Sequence, residues 1–365
     1  MEKMVNPNLD FWRGKKVFVT GHTGFKGSWL SKVLLRFGSE VTGYALENET
    51  SPNLFDLINA QKEMRSLHGD IRDYNNLEKG IYKTKPDIVF HLAAQPLVRE
   101  SYQNPGYTYE TNIMGTVNLL EALRKSDSVK SIVNVTTDKV YLNLERDAGY
   151  AEDEILCGSD PYSNSKSCSE LVTYGYRQSF YFMADSPALS TARSGNVIGG
   201  GDFAKDRVVP DCVRAACNNT PILVRNPNSV RPYQHILECL SGYMLLAELQ
   251  YNDKNRYEGA YNFGPDDSKC LRTGDLVDLF CNIWNRGIQT DYHLVWEFEK
   301  DKQGPVETSC LKLNTTKTER VLGWKTNWGI EKSLEETINW TKAYVKKSNV
   351  NILMDNAVED YFCNR

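Results

Sequence analysis

Lys15-Lys16-Val17-Phe18-Val19-Thr20-Gly21-His22-Thr23-Gly24-Phe25-Lys26-Gly27-Ser28-Trp29-Leu30 decides the fold of this chain. Val17, Phe18, Val19 and Thr20 are β-branched or aromatic and stop at Gly21, as a short buried strand does. From Ser28 to Phe37, Trp29, Leu30, Val33, Leu34 and Phe37 recur at helical spacing and make one apolar face. Between them lies a G-x-x-G-x-x-G loop, Gly21 to Gly27. Its glycines permit a tight turn and close approach of a pyrophosphate, and the helix N-terminus then offers N–H groups to the anion. An ordinary turn could also hold three glycines, but the strand before and the helix after are the setting that a phosphate-binding loop requires.

The pattern repeats downstream. Glu40–Leu46, Leu67–Asp70, Asp87–Ala94, Ser131–Thr137 and Ala188–Val197 read as further strands, with helices at Gly115–Lys125 and Tyr162–Phe182 among those between them. Such alternation predicts an α/β fold of Rossmann type, a doubly wound parallel sheet. After Gly199-Gly200-Gly201 the elements shorten between Pro210, Pro221, Pro227, Pro232 and Pro265. This predicts a smaller C-terminal α/β lobe. The expected units are a dinucleotide-binding domain over 10–190 and a substrate lobe over 191–350, with segments that interleave with the first unit. Glu331–Lys346 reads as a late amphipathic helix.

Composition narrows the function. The 365 residues suit about two domains. Lys and Arg number 43 against 47 Asp and Glu, a net charge of −4. That balance argues against nucleic acid or an anionic membrane as partner. No run is long and apolar enough for a membrane span or a secretory signal. Nine scattered Cys without C-x-x-C, and five His without H-E-x-x-H, give no reason to expect disulfides or a metal. A cytoplasmic location is expected.

Two further motifs carry chemistry. Among the 20 Tyr, Tyr162 alone has Lys four residues on, at Lys166. On a helix the two share a face, and a lysine ammonium beside a phenol favours the phenolate that an alcohol oxidation needs as base. The spacing is weak by itself, and its place after the fifth strand gives it weight. Thr136-Thr137-Asp138-Lys139 follows the fifth strand directly, at the sheet end where α/β proteins bind ligands; the bland reading is a capped polar turn. The second strand ends without Arg or Lys, which favours NAD over NADP; Glu47 is the nearest acid. Asp70, ending the third strand, suits an adenine amino group or a turn cap.

The Gly loop, the Tyr-x-x-x-Lys pair and the Thr-Thr-Asp-Lys run together resemble the extended short-chain dehydrogenase/reductases. Five stretches, Phe11–Leu30, Val89–Val98, Asp160–Lys166, Gly195–Arg207 and Arg225–Ile236, are similar to the CDP-glucose 4,6-dehydratases within them. The resemblance runs from about Phe11 to the region of Trp340. It implies NAD-dependent dehydration of CDP-D-glucose to CDP-4-keto-6-deoxy-D-glucose: C4 oxidation, loss of water across C5 and C6, then hydride return to C6. It implies Tyr162 with Lys166 as base at C4, Thr137 as hydrogen-bond partner, Asp138 as acid at the C6 hydroxyl, and Lys139 as base or cation at C5. Cofactor contacts fall to Gly21, His22, Thr23, Gly24, Phe25, Lys26, Gly27, Asp70, Ile71, Leu92, Ala93, Ala94, Asn112, Thr136, Tyr162 and Lys166. Substrate contacts fall to Gln95, Asn196, Arg207, Arg231 and Glu307. Gly-Pro-Val-Glu-Thr around Glu307 and Tyr233 in place of Trp depart from the family pattern and bear on the base preference. Relatives pair two long helices per subunit, so a homodimer or homotetramer is expected. The rivals are a dehydratase of another nucleotide hexose, a C4 epimerase or 4-ketoreductase, and a non-catalytic NAD-binding regulator. The Asp-Lys pair favours dehydration over the epimerase and ketoreductase, and an intact Tyr-Lys-Asp set argues against the regulator.

Overall fold

In the computed structural model, residues 5–48, 50–286, 293–299 and 308–363 are described. Seven parallel strands form one sheet: β1 Lys16–Thr20, β2 Glu40–Ala45, β3 Arg65–His68, β4 Ile88–His91, β5 Ser131–Val135, β6 Ala188–Ser194 and β7 Ala260–Phe263. Their order is β7-β6-β5-β4-β1-β2-β3. Every neighbouring pair is parallel. The doubly wound sheet expected from the alternation is therefore present, with one strand more than the sequence suggested.

Alternation of side chains explains why both faces are covered. Val17 and Val19 of β1, Ile88 and Phe90 of β4, and Val133 and Val135 of β5 point to one core. Phe18, Val89 and Ile132, one residue out of step, point to the other. The first core is roofed by α1 (Phe25–Arg36), α6 (Ile236–Asn252) and α9 (Val350–Phe362), and the second by α2 (Tyr74–Thr84), α3 (Gly115–Arg124) and α4 (Pro161–Ser179). In α1, Trp29, Leu30, Val33 and Leu34 are buried to 2% exposure or less. Each such side chain contributes roughly 1.5–3 kcal/mol from burial alone. Phe25 and Lys26 already belong to this helix, so it begins inside the glycine loop rather than at Ser28.

The smaller lobe has its own core. Val209, Cys212 and Ala216 of α5 (Val208–Asn218) pack with Leu276, Val277 and Phe280 of α7 (Thr273–Asn285) and with Leu334 and Ile338 of α8 (Ile330–Val345). A division at 190/191 falls inside β6, which continues to Ser194. Ladder bonds to β5 and β7 hold that strand in the sheet. The chain then lends α6 and β7 back to the sheet. The C-terminal helix α9 returns too, with Lys32 of α1 paired to Asp355 at 3.0 Å.

Candidate active site

One large cleft, of roughly 1330 Å³, runs along the carboxyl ends of the strands, between sheet and lobe. One end is walled by Tyr44 to Asn48, Thr50 to Leu54 and Gly69 to Ile71. Its floor is Gly21, Thr23 to Gly27 and Leu92 to Ala94, and its lobe wall includes Asn196, Arg207 and Arg231.

The glycine loop is folded as its residue types require. Gly21 has φ of 74°, and a Cβ there would sit 2.7 Å from the backbone nitrogen of Ala93. A Cβ on Gly27 would sit 2.1 Å from the carbonyl oxygen of Gly21. Gly24 is exposed, in extended backbone, at the N-cap of α1. That leaves the first-turn N–H groups of α1 aimed into the cleft, a cradle for an anion. The residues fit a dinucleotide: a tight loop, a helix N-terminus, and a bounded pocket beyond it without Lys or Arg between Tyr44 and Leu54.

The candidate acid–base residues lie beyond the loop. Thr137 caps a short turn, Asp138–Val140, that follows β5. Its hydroxyl donates to Asp138 Oδ1 at 2.9 Å, and Lys139 Nζ lies 3.4 Å from the same oxygen. Asp138 is 1% exposed, lines the cleft, and its Oδ2 is buried without a hydrogen-bond partner among the described residues. Tyr162 and Lys166 face them from the first two turns of α4, which Asp160 caps through the Ser163 N–H at 2.9 Å. Buried Ser101 accepts a bond from the Tyr162 N–H at 3.1 Å.

Electrostatics correct one expectation. Burial pushes the Tyr162 phenol up to about 12, although its hydrogen bond with Thr137 opposes this. The sequence reading had the phenol lowered by Lys166. Desolvation wins, and Lys166 Nζ instead donates to the Val135 carbonyl at 3.3 Å. Burial first, then repulsion from Lys26, brings Lys166 down to about 8. Lys26 donates to Ser194 Oγ at 2.9 Å, and burial lowers its ammonium as well.

Several predicted contacts stand elsewhere. His22 is fully buried, with Nε2 2.7 Å from Ser66 Oγ, its ring edge-on to Phe55 and filling the space above Gly43. Desolvation lowers its pKa to about 4, so the imidazole is neutral and faces the core rather than a phosphate. Asn112 accepts from the Gln95 N–H at 2.8 Å and donates to Ser165 Oγ at 2.8 Å, from a single π-helical turn. Gln95 spends its side chain on Leu97 and Thr108. Both are buried outside the lining of the cleft, so they shape the loop after β4 instead of touching a ligand. Asp70 lines the cleft, but Arg72 already engages both its oxygens at 2.6–3.1 Å and holds the carboxyl below its usual range. Thr23, Phe25, Ile71, Thr136, Asn196, Arg207 and Arg231 line the cleft. Arg207 pairs with Asp202 at 3.0 Å, and Arg231 donates to the Thr308 carbonyl at 2.6 Å. Glu307 lies outside the described residues.

Comparison with known proteins gives the family. The family model described as GDP-mannose 4,6 dehydratase matches residues 18–337. A CDP-glucose 4,6-dehydratase of Salmonella typhimurium is 44% identical over 362 residues, 98% of each chain. The chain belongs to the GDP-mannose 4,6 dehydratase family. It is thereby a member of the extended short-chain dehydrogenase/reductases, as its motifs implied. A CDP-paratose 2-epimerase of Salmonella typhi is 31% identical, over 73% of this chain and 85% of its own. Among solved structures, the dTDP-glucose 4,6-dehydratase of Bacillus anthracis, in complex with NAD, superposes with a TM-score of 0.74. It shares 20% identity and covers 92% of this chain and 99% of its own. UDP-glucose 4-epimerase of Thermotoga maritima superposes with a TM-score of 0.77 at 21% identity, over 90% and 99%.

The candidate acid–base residues rest on a pair that sequence reasoning missed. Glu170, one turn after Lys166, accepts from the Thr136 hydroxyl, from Thr191 at 2.7 Å and from Arg193 at 2.9 and 3.0 Å. Arg193 extends to the Tyr141 hydroxyl at 2.7 Å. Both charges are about 3% exposed. Arg193 alone left a signal in the sequence, a charge within the otherwise apolar or small-residue stretch Ala188 to Ser194.

Proposed function

We propose that this protein is an NAD-dependent CDP-glucose 4,6-dehydratase, in which the sheet unit holds NAD and the lobe holds the nucleotide sugar. The supporting relative is 44% identical over nearly its whole length and bears that activity in its name. The observation that carries the reading is the Asp138 carboxyl, buried in the cleft beside Tyr162, with one oxygen that has no hydrogen-bond partner among the described residues. Oxidation and reduction at one carbon need Tyr162 and Lys166; a second acid–base group within the same wall serves the removal of water.

When bound, NAD would supply the hydride acceptor for C4 of the sugar and the hydride donor for C6. The Gly21–Gly27 loop and α1 hold its diphosphate, with Leu92 to Ala94, Thr136 and the Asp70–Ile71 backbone along its length. Tyr162 takes the proton of the C4 hydroxyl, and Thr137 hydrogen-bonds that oxygen. Lys166, at about 8, is mainly cationic at neutral pH, and by turning from the Val135 carbonyl towards Tyr162 in the loaded site it would stabilise the phenolate form that acts as this base. The ketone at C4 acidifies the C5 hydrogen. Lys139 receives that proton or stabilises the resulting enolate. Asp138 supplies the proton on which the C6 hydroxyl leaves as water. Asn196, Arg207 and Arg231 hold the substrate's diphosphate. Arginine suits that work because its planar fork matches phosphate oxygens.

A homodimer joined through α3 and α4 accompanies this reading. Leu171 and Tyr174 on α4, each 56% exposed, and Met114 at the start of α3, 49% exposed, leave apolar surface there. Mass spectrometry of products from CDP-, dTDP-, UDP- and GDP-hexoses, with NAD present, tests the function. Loss of one water from CDP-glucose is the expected result. Water loss from another nucleotide sugar removes the CDP assignment, and inversion without mass change favours the C4 epimerase.

A further inference from the structure

Three charged side chains outside the catalytic cluster meet at the cleft wall, from three separate segments. Arg99 belongs to the short helix Val98–Gln103 after β4. Asp206 ends the strap that leads into α5, and Arg225 follows the small strand Ile222–Val224. Asp206 Oδ1 lies 3.3 Å from Arg99 Nη1 and 3.3 Å from Arg225 Nη2, and Glu299 approaches Arg225 Nε at 3.7 Å. All three line the cleft that holds Tyr162 and Asp138. One carboxylate oxygen thus sits between two guanidinium groups in a cleft read as a diphosphate site.

The strap is tied at its near end. Asp202 accepts from the Ala204 N–H at 3.1 Å and from Arg207, and Arg214 donates to the carbonyls of Phe203 and Ala204 at 3.3 and 3.1 Å. Its far end is strained: Asp206 has φ of 60°, in the left-handed region that few non-glycine residues adopt. The side chains of Arg99, Asp206 and Arg225 are 38%, 44% and 24% exposed. Ion pairs so open to water stabilise little. A diphosphate carries more charge and more acceptor oxygens than one carboxylate, and guanidinium–phosphate pairing is bidentate.

We propose that Arg99 and Arg225 bind the diphosphate of the nucleotide sugar, and that Asp206 is a resident carboxylate occupying them until the substrate displaces it. The inference rests on the nucleotide-sugar reading of the cleft and adds to Arg207 and Arg231 a second pair of arginines. Asp206 then acts as an internal competitor. It keeps two cations compensated in the empty cleft and weakens substrate affinity by that competition.

Calorimetric titration of the full-length, NAD-loaded protein with CDP, and with cytidine as the phosphate-free control, tests this. Asp206→Asn removes the charge and keeps a residue that tolerates the left-handed backbone. It should tighten CDP binding by about threefold to tenfold, while Arg99→Met and Arg225→Met should each weaken it about tenfold, as loss of a charge-assisted bond requires. Cytidine affinity should not change in any of the three. Asp206→Gly, which also relieves the backbone, should follow Asp206→Asn. Unchanged or weaker CDP binding in both Asp206 variants overturns the competitor role. Wild-type affinity in the arginine variants overturns their part. If the wild-type protein binds no CDP at all, the nucleotide reading of the cleft fails with it, a result distinct from CDP binding that ignores these substitutions.

Discussion

Replacing Arg193 by Met should cost far more stability than its distance from any ligand suggests. The guanidinium makes two bonds to Glu170, one to Tyr141 and one to the Glu152 carbonyl at 2.9 Å. Glu170 sits beneath the Thr136–Lys139 turn with both oxygens engaged. Burial pushes its pKa up, but the charge and hydrogen bonds of Arg193 outweigh that and hold it below the usual carboxylate value. Met fills the volume and leaves a buried, uncompensated carboxylate, a loss of about 3–5 kcal/mol. With an unfolding entropy of about 2.1 cal/mol/K per residue, a chain of 365 residues that unfolds as one unit loses about 4–6 °C in Tm. The pH dependence has a definite sign. In the wild-type protein Glu170 contributes stability above the ordinary carboxylate pKa, lost as pH falls through its depressed folded value. In Arg193→Met only the Thr136 and Thr191 hydroxyls still oppose burial, the folded pKa rises, and protonation relieves the penalty. The Tm gap between the two proteins should therefore narrow from pH 8 to pH 5. Adding Glu170→Gln should recover part of the loss. Differential scanning fluorimetry across that range measures all of this. A drop below about 1 °C, or a double variant no more stable than Arg193→Met, would refute the reasoning.

Other outcomes follow from the same geometry. Tyr162→Phe should lower kcat by about 10²–10⁴, the usual worth of a positioned acid–base group, with Tm unchanged, as steady-state kinetics and melting will show. Asp138→Asn should keep C4 oxidation, seen as transient absorbance of reduced nicotinamide, while water loss falls by a similar factor. Activity of the wild-type protein should decline above an apparent pKa near 8 as Lys166 loses its charge. Lys166→Arg should move that limb upward, because a guanidinium stays charged. Gly27→Ala should abolish NAD binding in an equilibrium titration, since its Cβ would lie 2.1 Å from the Gly21 carbonyl oxygen. Lys139→Gln should slow solvent exchange at C5; an unchanged exchange rate removes both roles given to Lys139.

The sheet was legible because its signals are local. Val17 to Thr20 and Ile88 to His91 are apolar runs closed by glycine or polar turns, and each found its place as a strand. Ala260–Phe263 was missed because four residues between Gly259 and Gly264 carry little periodicity. What makes them a strand is the ladder to β6, 69 residues away in sequence at Thr191 and Ala260. The Tyr-Lys and Thr-Asp-Lys motifs led to the cleft for the same local reason. Gln95 was misread as a ligand contact because a polar residue after a strand looks the same whether it faces a ligand or bonds the next loop, and Asn112 because a helical amide bonded to that loop leaves no mark in spacing. His22 shows the reverse error, a residue in a binding loop whose side chain packs behind it. Glu170, Arg193 and the Arg99–Asp206–Arg225 group depend on contacts between distant segments, which spacing does not record.

The central claim is that one cleft oxidises C4 and delivers the same hydride to C6 while water leaves. Turnover of CDP-glucose deuterated at C4, by the NAD-loaded protein in ordinary water, measures this directly by mass spectrometry and proton NMR. The account predicts a product one water lighter, a ketone at C4 and deuterium in the C6 methyl group. Deuterium retained at C4 of an epimerised sugar, with no loss of water, would contradict it.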